Sequence, residues 1–89
     1  MSTKFDHVIY DIEAKNGELK GVHKRVFGLR CSIVELSIRR TGHLEIEYTP
    51  ELSKYLYTTP VERIDADAEG VEFETKNTIY RLKRIEEPK

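Results

Sequence analysis

The 89-residue chain carries 15 Lys or Arg against 16 Asp or Glu, 38% apolar residues and a single cysteine, Cys31. That length makes one domain, read over residues 1–89, which buries ~60–65% of its unfolded surface and leaves no room for separate cofactor and substrate domains. The near-zero net charge is unlike a strongly basic nucleic-acid binder, the lone cysteine excludes an intramolecular disulfide framework and fits a reducing compartment, and no apolar run approaches the ~20 residues of a membrane span.

The N-terminal Met1-Ser2-Thr3-Lys4-Phe5 has no apolar targeting core, so the expected protein is soluble and cytoplasmic, with no membrane association. Asn16-Gly17 is a strong hairpin signal. Closing a first hairpin there sets Ala14 opposite Leu19, Glu13 opposite Lys20 and Tyr10 opposite His23, with Gly21 as a bulge and Gly28 ending the second strand.

A second hairpin is expected from Cys31 to Tyr48. A three-residue loop Arg40-Thr41-Gly42 puts Ile38 opposite Leu44, Leu36 opposite Ile46 and Val34 opposite Tyr48, with Gly at the left-handed third position. The same register faces Glu35 toward Glu47, a like-charge pair of the kind retained for a partner.

Thr49-Pro50-Glu51-Leu52 carries a hydroxyl cap, a first-turn proline and an acid, which predict one helical turn and then extended chain. The competing reading of Tyr55-Leu56-Tyr57-Thr58 is a strand, because tyrosine and threonine favour strands. Val61–Asp65 is a short strand. It leads through the acidic loop Asp65–Gly70 to a closing hairpin at Lys76-Asn77, with Val71 opposite Leu82, Phe73 opposite Tyr80, Thr75 opposite Thr78, and Glu72 opposite Arg81 on the outer face. About seven short antiparallel strands in consecutive hairpins, with one minor helical turn, make an all-β domain that curls into a small barrel or two-layer sheet. Residues 86–89 read as a frayed tail.

Constellations that carry chemistry are few. Asp65, Asp67 and Glu69 imitate the opening of a calcium loop, but the twelfth position is Lys76 and strands flank it, so no metal is expected. His7, His23 and His43 lack metal-ligand spacing, and nothing local activates Cys31, so neither a cofactor nor an enzyme activity is expected.

Charge is unevenly distributed. Residues 1–44 hold eight basic and five acidic side chains, residues 45–80 hold three and nine, and residues 81–89 hold four and two. The acidic stretch suggests a protein partner with a basic surface, engaged by Glu35, Glu45, Glu47, Glu72 and Glu74. The alternative is a nucleic-acid-binding barrel using Lys24, Arg25, Arg30, Arg39, Arg40, Arg81, Lys83 and Arg84, disfavoured because the aromatics alternate with inward positions and leave no stacking platform. Edge strands also offer a route to a homo-oligomer.

Tyr57-Thr58-Thr59-Pro60-Val61-Glu62-Arg63-Ile64, continuing through Thr75-Lys76-Asn77-Thr78-Ile79-Tyr80-Arg81-Leu82, resembles the C-terminal end of small uncharacterised β proteins from bacteria, phages and mobile elements. The resemblance covers about a third of the chain and rests on the pattern Thr-x-Asn-Thr-x-Tyr-x-Leu. It implies strand and turn chemistry and carries over no catalytic residue and no assigned activity; the expected function is a small binding protein acting through its surface, as an accessory or inhibitory factor for a host protein.

Overall fold

Runs rich in β-branched and aromatic residues alternate with charged ones along most of the chain, and they form six strands. These are β1 His7–Ala14, β2 Arg30–Glu35, β3 Thr41–Thr49, β4 Leu52–Ala66, β5 Gly70–Thr75 and β6 Thr78–Arg84, with a six-residue helix, α1 Gly21–Val26, between β1 and β2. The computed structural model describes residues 5–85; the tail expected at 86–89 lies outside the described residues. Each strand pairs antiparallel with the next and β6 returns to β1, so the sheet closes into a barrel. The all-β class, the consecutive antiparallel order and the barrel are as expected from the sequence.

The core holds Ile9, Ile12, Val26, Cys31, Leu44, Ile46, Val61, Phe73, Tyr80 and Leu82. Ile9 and Ile12 are three apart, which strict alternation would send to opposite faces. A bulge between Ile9 and Asp11 resets the phase so that both point inward and Tyr10 is left outside. The closing hairpin has the expected register, with Val71, Glu72 and Phe73 facing Leu82, Arg81 and Tyr80, and the Phe73 and Tyr80 rings stack at 4.8 Å. Gly70 opens β5 where any Cβ would collide with the Leu82 carbonyl, so a side chain there would push β5 and β6 apart.

The first hairpin does not form. Asn16-Gly17 turns the chain, with Gly17 at φ 118, but into α1 rather than a returning strand. His23 and Val26, at i and i+3, are both buried, Val26 within the core and His23 against Tyr80. β1 instead pairs with β6 along its length and meets β2 only at His7 and Val8. Gly21 therefore begins a helix rather than making a bulge. Gly28 ends no strand; it follows the helix and its C-cap Phe27 at φ 80, with its N–H donating to the Ile9 carbonyl (2.7 Å).

The second hairpin forms in a different register. Cys31 faces Ile46, Ile33 faces Leu44, and Glu35 faces His43 rather than Glu47. The connection spans Leu36–Arg40 and is tied to β4 by Arg39 N–H to Val61 O (2.7 Å) and Val61 N–H to Arg40 O (2.9 Å). Its left-handed residue is Arg39 (φ 69), and Gly42 lies within β3. The odd positions Cys31 and Ile33 consequently point inward, whereas Val34 and Ile38 are exposed.

The helical turn at Thr49–Leu56 is also absent. Thr49 pairs directly with Leu52 across Pro50-Glu51, with Glu51 N–H donating to Thr49 Oγ1 (3.3 Å), and β4 then runs unbroken to Ala66. The strand preference of Tyr55-Leu56-Tyr57-Thr58 outweighs the capping signal, because β3 offers those residues a ladder.

Candidate partner-binding face

The two halves of the expected acidic set have separate fates. Glu72 and Glu74 on β5 point outward but are saturated. Arg81 lies at the centre of that surface, its Nε donating to Glu72 Oε1 (2.7 Å) and its Nη1 to Asp11 Oδ2 (2.7 Å) and Glu13 Oε1 (3.2 Å). Arg63 on β4 bonds Glu72 Oε2 (2.6 Å) and Glu74 Oε1 (3.1 Å), and Lys15 pairs with Glu74 while donating to the Thr75 carbonyl (2.9 Å). These seven side chains lace β1, β6, β5 and β4 together. Hydrogen bonds from Arg63 and then Arg81 hold the Glu72 carboxyl below its usual range, and Lys15 and then Arg63 do the same for Glu74. Both carboxylates are engaged within the barrel wall and offer little unbalanced field to a partner.

Glu35, Glu45 and Glu47 lie elsewhere, on the outer face of β2 and β3. β3 and β4 run in register with His43 opposite Tyr57, Glu45 opposite Tyr55 and Glu47 opposite Ser53. Because β4 is a strand, Tyr55 and Tyr57 project from one side, 59% and 62% exposed. The His43 ring stacks on Tyr57 at 4.4 Å and meets Tyr55 edge-on at 4.9 Å. His43 Nε2 is enclosed beneath these rings without a hydrogen-bond partner. Glu45 is buried between Ser32 and Tyr55 and accepts from Ser53 Oγ (2.6 Å). The result is an outward aromatic cluster set among three carboxylates. This corrects the expectation that no aromatic platform exists. The sequence marks Tyr55 and Tyr57 as half-exposed tyrosines of a kind favoured at interfaces, but their grouping with His43 is missed while residues 52–56 are read as a helix; the Tyr-x-Tyr period of two is the signal that marks it.

The basic set is split as well. Arg30 and Lys83 flank Val8 on neighbouring strands, and Arg84 faces His7, with β2 and β6 on either side of β1. Lys24 and Arg25 lie on α1, Arg39 and Arg40 lie in the β2–β3 connection, and Arg81 is the hub of the ionic network. These residues do not gather around the aromatic cluster.

His23, Cys31 and Asp67 are engaged or enclosed within the fold. Lys20 N–H donates to His23 Nδ1 (3.3 Å) at the start of α1, so Nε2 carries the proton and donates to Tyr80 Oη (3.1 Å). Burial, then the Lys20 charge, lowers the His23 pKa. Burial, then Asp6, pushes the Cys31 thiol up to about 12, the opposite of an activated thiolate. Asp67 Oδ1 accepts from Glu69 N–H (2.8 Å) and Gly70 N–H (3.1 Å) and so shapes the acidic loop. Among the described residues no group of three or more His, Cys, Asp or Glu is placed to hold a metal ion, and no helix is long and apolar enough to cross a membrane. Compared with family models, curated proteins and solved structures, the chain matches none.

Proposed function

We propose that the protein is a small non-enzymatic binding module whose outer face on β2, β3 and β4 engages a basic protein surface. The observation that supports this reading is the exposed Tyr55–Tyr57 pair stacked with His43 and bordered by Glu35, Glu45 and Glu47. Exposed tyrosines supply contact area with a polar tip, and their ring faces attract Lys and Arg. Carboxylates beside them raise the local concentration of cations and repel phosphate. An aromatic platform on a basic ground would favour nucleic acid; here the ground is acidic. The cytoplasm suits the lone free Cys31, and a binding surface without catalytic machinery suits an accessory or inhibitory factor for a host protein.

The test is fluorescence anisotropy of the full chain with a labelled arginine-rich peptide and, separately, a single-stranded DNA oligonucleotide. The expected result is peptide binding that weakens as salt rises and is lost in Glu35→Lys/Glu47→Lys, with Arg39→Glu/Arg40→Glu unaffected. DNA binding abolished by the arginine reversals would overturn the reading.

A further inference from the structure

β4 is a 15-residue strand whose two halves pair on different sides. Val61–Ala66 pairs with β5, whereas Leu52–Pro60 has strand partners, among the described residues, on β3 alone. The register explains why: β5 ends at Thr75 opposite Val61 and the chain turns away at Lys76-Asn77, so β4 overhangs the barrel wall. Such an edge carries a row of backbone N–H and C=O groups directed away from β3. The side chains beside it divide by period two. Tyr55 and Tyr57 lie on the outer, acidic face, while Leu52 and Leu56 lie on the other face, with Leu52 exposed and Leu56 packed against the core.

We propose that the Leu52–Thr59 edge of β4 is a strand-addition site for an extended segment of a protein partner bearing Lys or Arg at alternate positions. This rests on the acidic-face reading above. The added strand would hydrogen-bond the free edge, lay its cationic side chains over Tyr55 and Tyr57 next to Glu45 and Glu47, and turn its apolar side chains toward Leu52 and Leu56. Charge selects this occupant over a second copy of the chain. Two β4 edges related by a two-fold axis would place the acidic outer faces side by side. An incoming basic strand avoids that penalty.

The probe is a labelled peptide alternating arginine and valine, titrated into the full chain, with two further versions N-methylated at either the odd or the even residues. N-methylation removes one edge's donors from the peptide and leaves the protein unaltered. The expected result is binding by the parent peptide, roughly tenfold or greater loss for one methylated version with the other little changed, and a similar loss in Tyr55→Ala/Tyr57→Ala. Equal binding by all three peptides would overturn strand addition and leave the acidic-face reading standing; no binding by any would overturn both. Sedimentation of the protein alone completes the test. A dimer that the peptide dissociates would assign the edge to a second copy and overturn the proposal.

Discussion

Truncating Phe73 to alanine probes the barrel at its largest fully buried side chain among the described residues. Phe73 is fully buried on β5, stacked on Tyr80, and shares the core with Ile9, Leu44 and Leu82. Phe→Ala in a core costs ~3–5 kcal/mol, including the cavity left behind, and the lost ring pair accounts for ~0.5–1.5 kcal/mol of it. At ~0.05–0.15 kcal/mol per residue, an 89-residue domain has about 4–13 kcal/mol in total. The substitution therefore removes about a quarter or more of the stability, and the melting temperature falls by roughly 12–40 °C at ~4–8 °C per kcal/mol. Urea unfolding followed by tyrosine fluorescence measures it, with Phe27→Ala as the control. Phe27 is about half exposed, so its truncation shifts stability by no more than ~0.5 kcal/mol. If Phe73→Ala unfolds at the same urea concentration as Phe27→Ala, then the assigned inward face of β5 is wrong.

Arg81→Met should destabilise by about 1–2 kcal/mol, because three partly exposed carboxylate contacts are lost at once, each worth ~0.2–1 kcal/mol; denaturation in low and high salt should show the deficit shrinking as Asp11, Glu13 and Glu72 are screened from one another. Stability should fall as pH drops below 6.5, since His23 binds its proton more readily in the unfolded chain, and the fall should end once pH is below the lowered folded-state pKa. A second loss should follow below pH 4.5 as the depressed Glu72 and Glu74 carboxyls protonate, and thermal melts between pH 8 and pH 3 separate the two steps. The Cys31 thiol should resist a disulfide reagent in the native protein at pH 8 and react on addition of denaturant; rapid native labelling would contradict its burial.

The barrel was legible where sequence pattern and pairing partner coincide. The β5–β6 hairpin joins neighbours in the chain, so alternation from Val71 to Leu82 determines both its face and its register. β1 failed that condition, because its main partner is β6 at the far end of the chain, and a local reading of Asn16-Gly17 supplies a false one. In β2 the apolar residues fall on both parities, Cys31 and Ile33 against Val34, Leu36 and Ile38, so alternation permits two faces. The choice is made by Arg39 and Arg40 docking on Val61, a tertiary contact. At the candidate face, Glu35, Glu45 and Glu47 were visible as charge, whereas Tyr55 and Tyr57 became visible as a platform only once β3 was known to hold residues 52–57 extended. Glu72 and Glu74 showed the reverse: their outward direction was readable from the register, but their neutralisation depends on Lys15 and Arg63 from distant strands.

The closure of β1 on β6 bears on how the chain is made. Asp11 and Arg81 stand 70 residues apart in sequence, and ribosomes add roughly 5–20 residues per second. A nascent chain thus holds β1 without its principal neighbour for several seconds. Until then the inward faces of β1 through β5 share no finished wall, and folding waits on translation rather than on any local turn. Synonymous codons that slow elongation ahead of Tyr80 should lengthen this exposed interval and lower the soluble yield without changing a single amino acid.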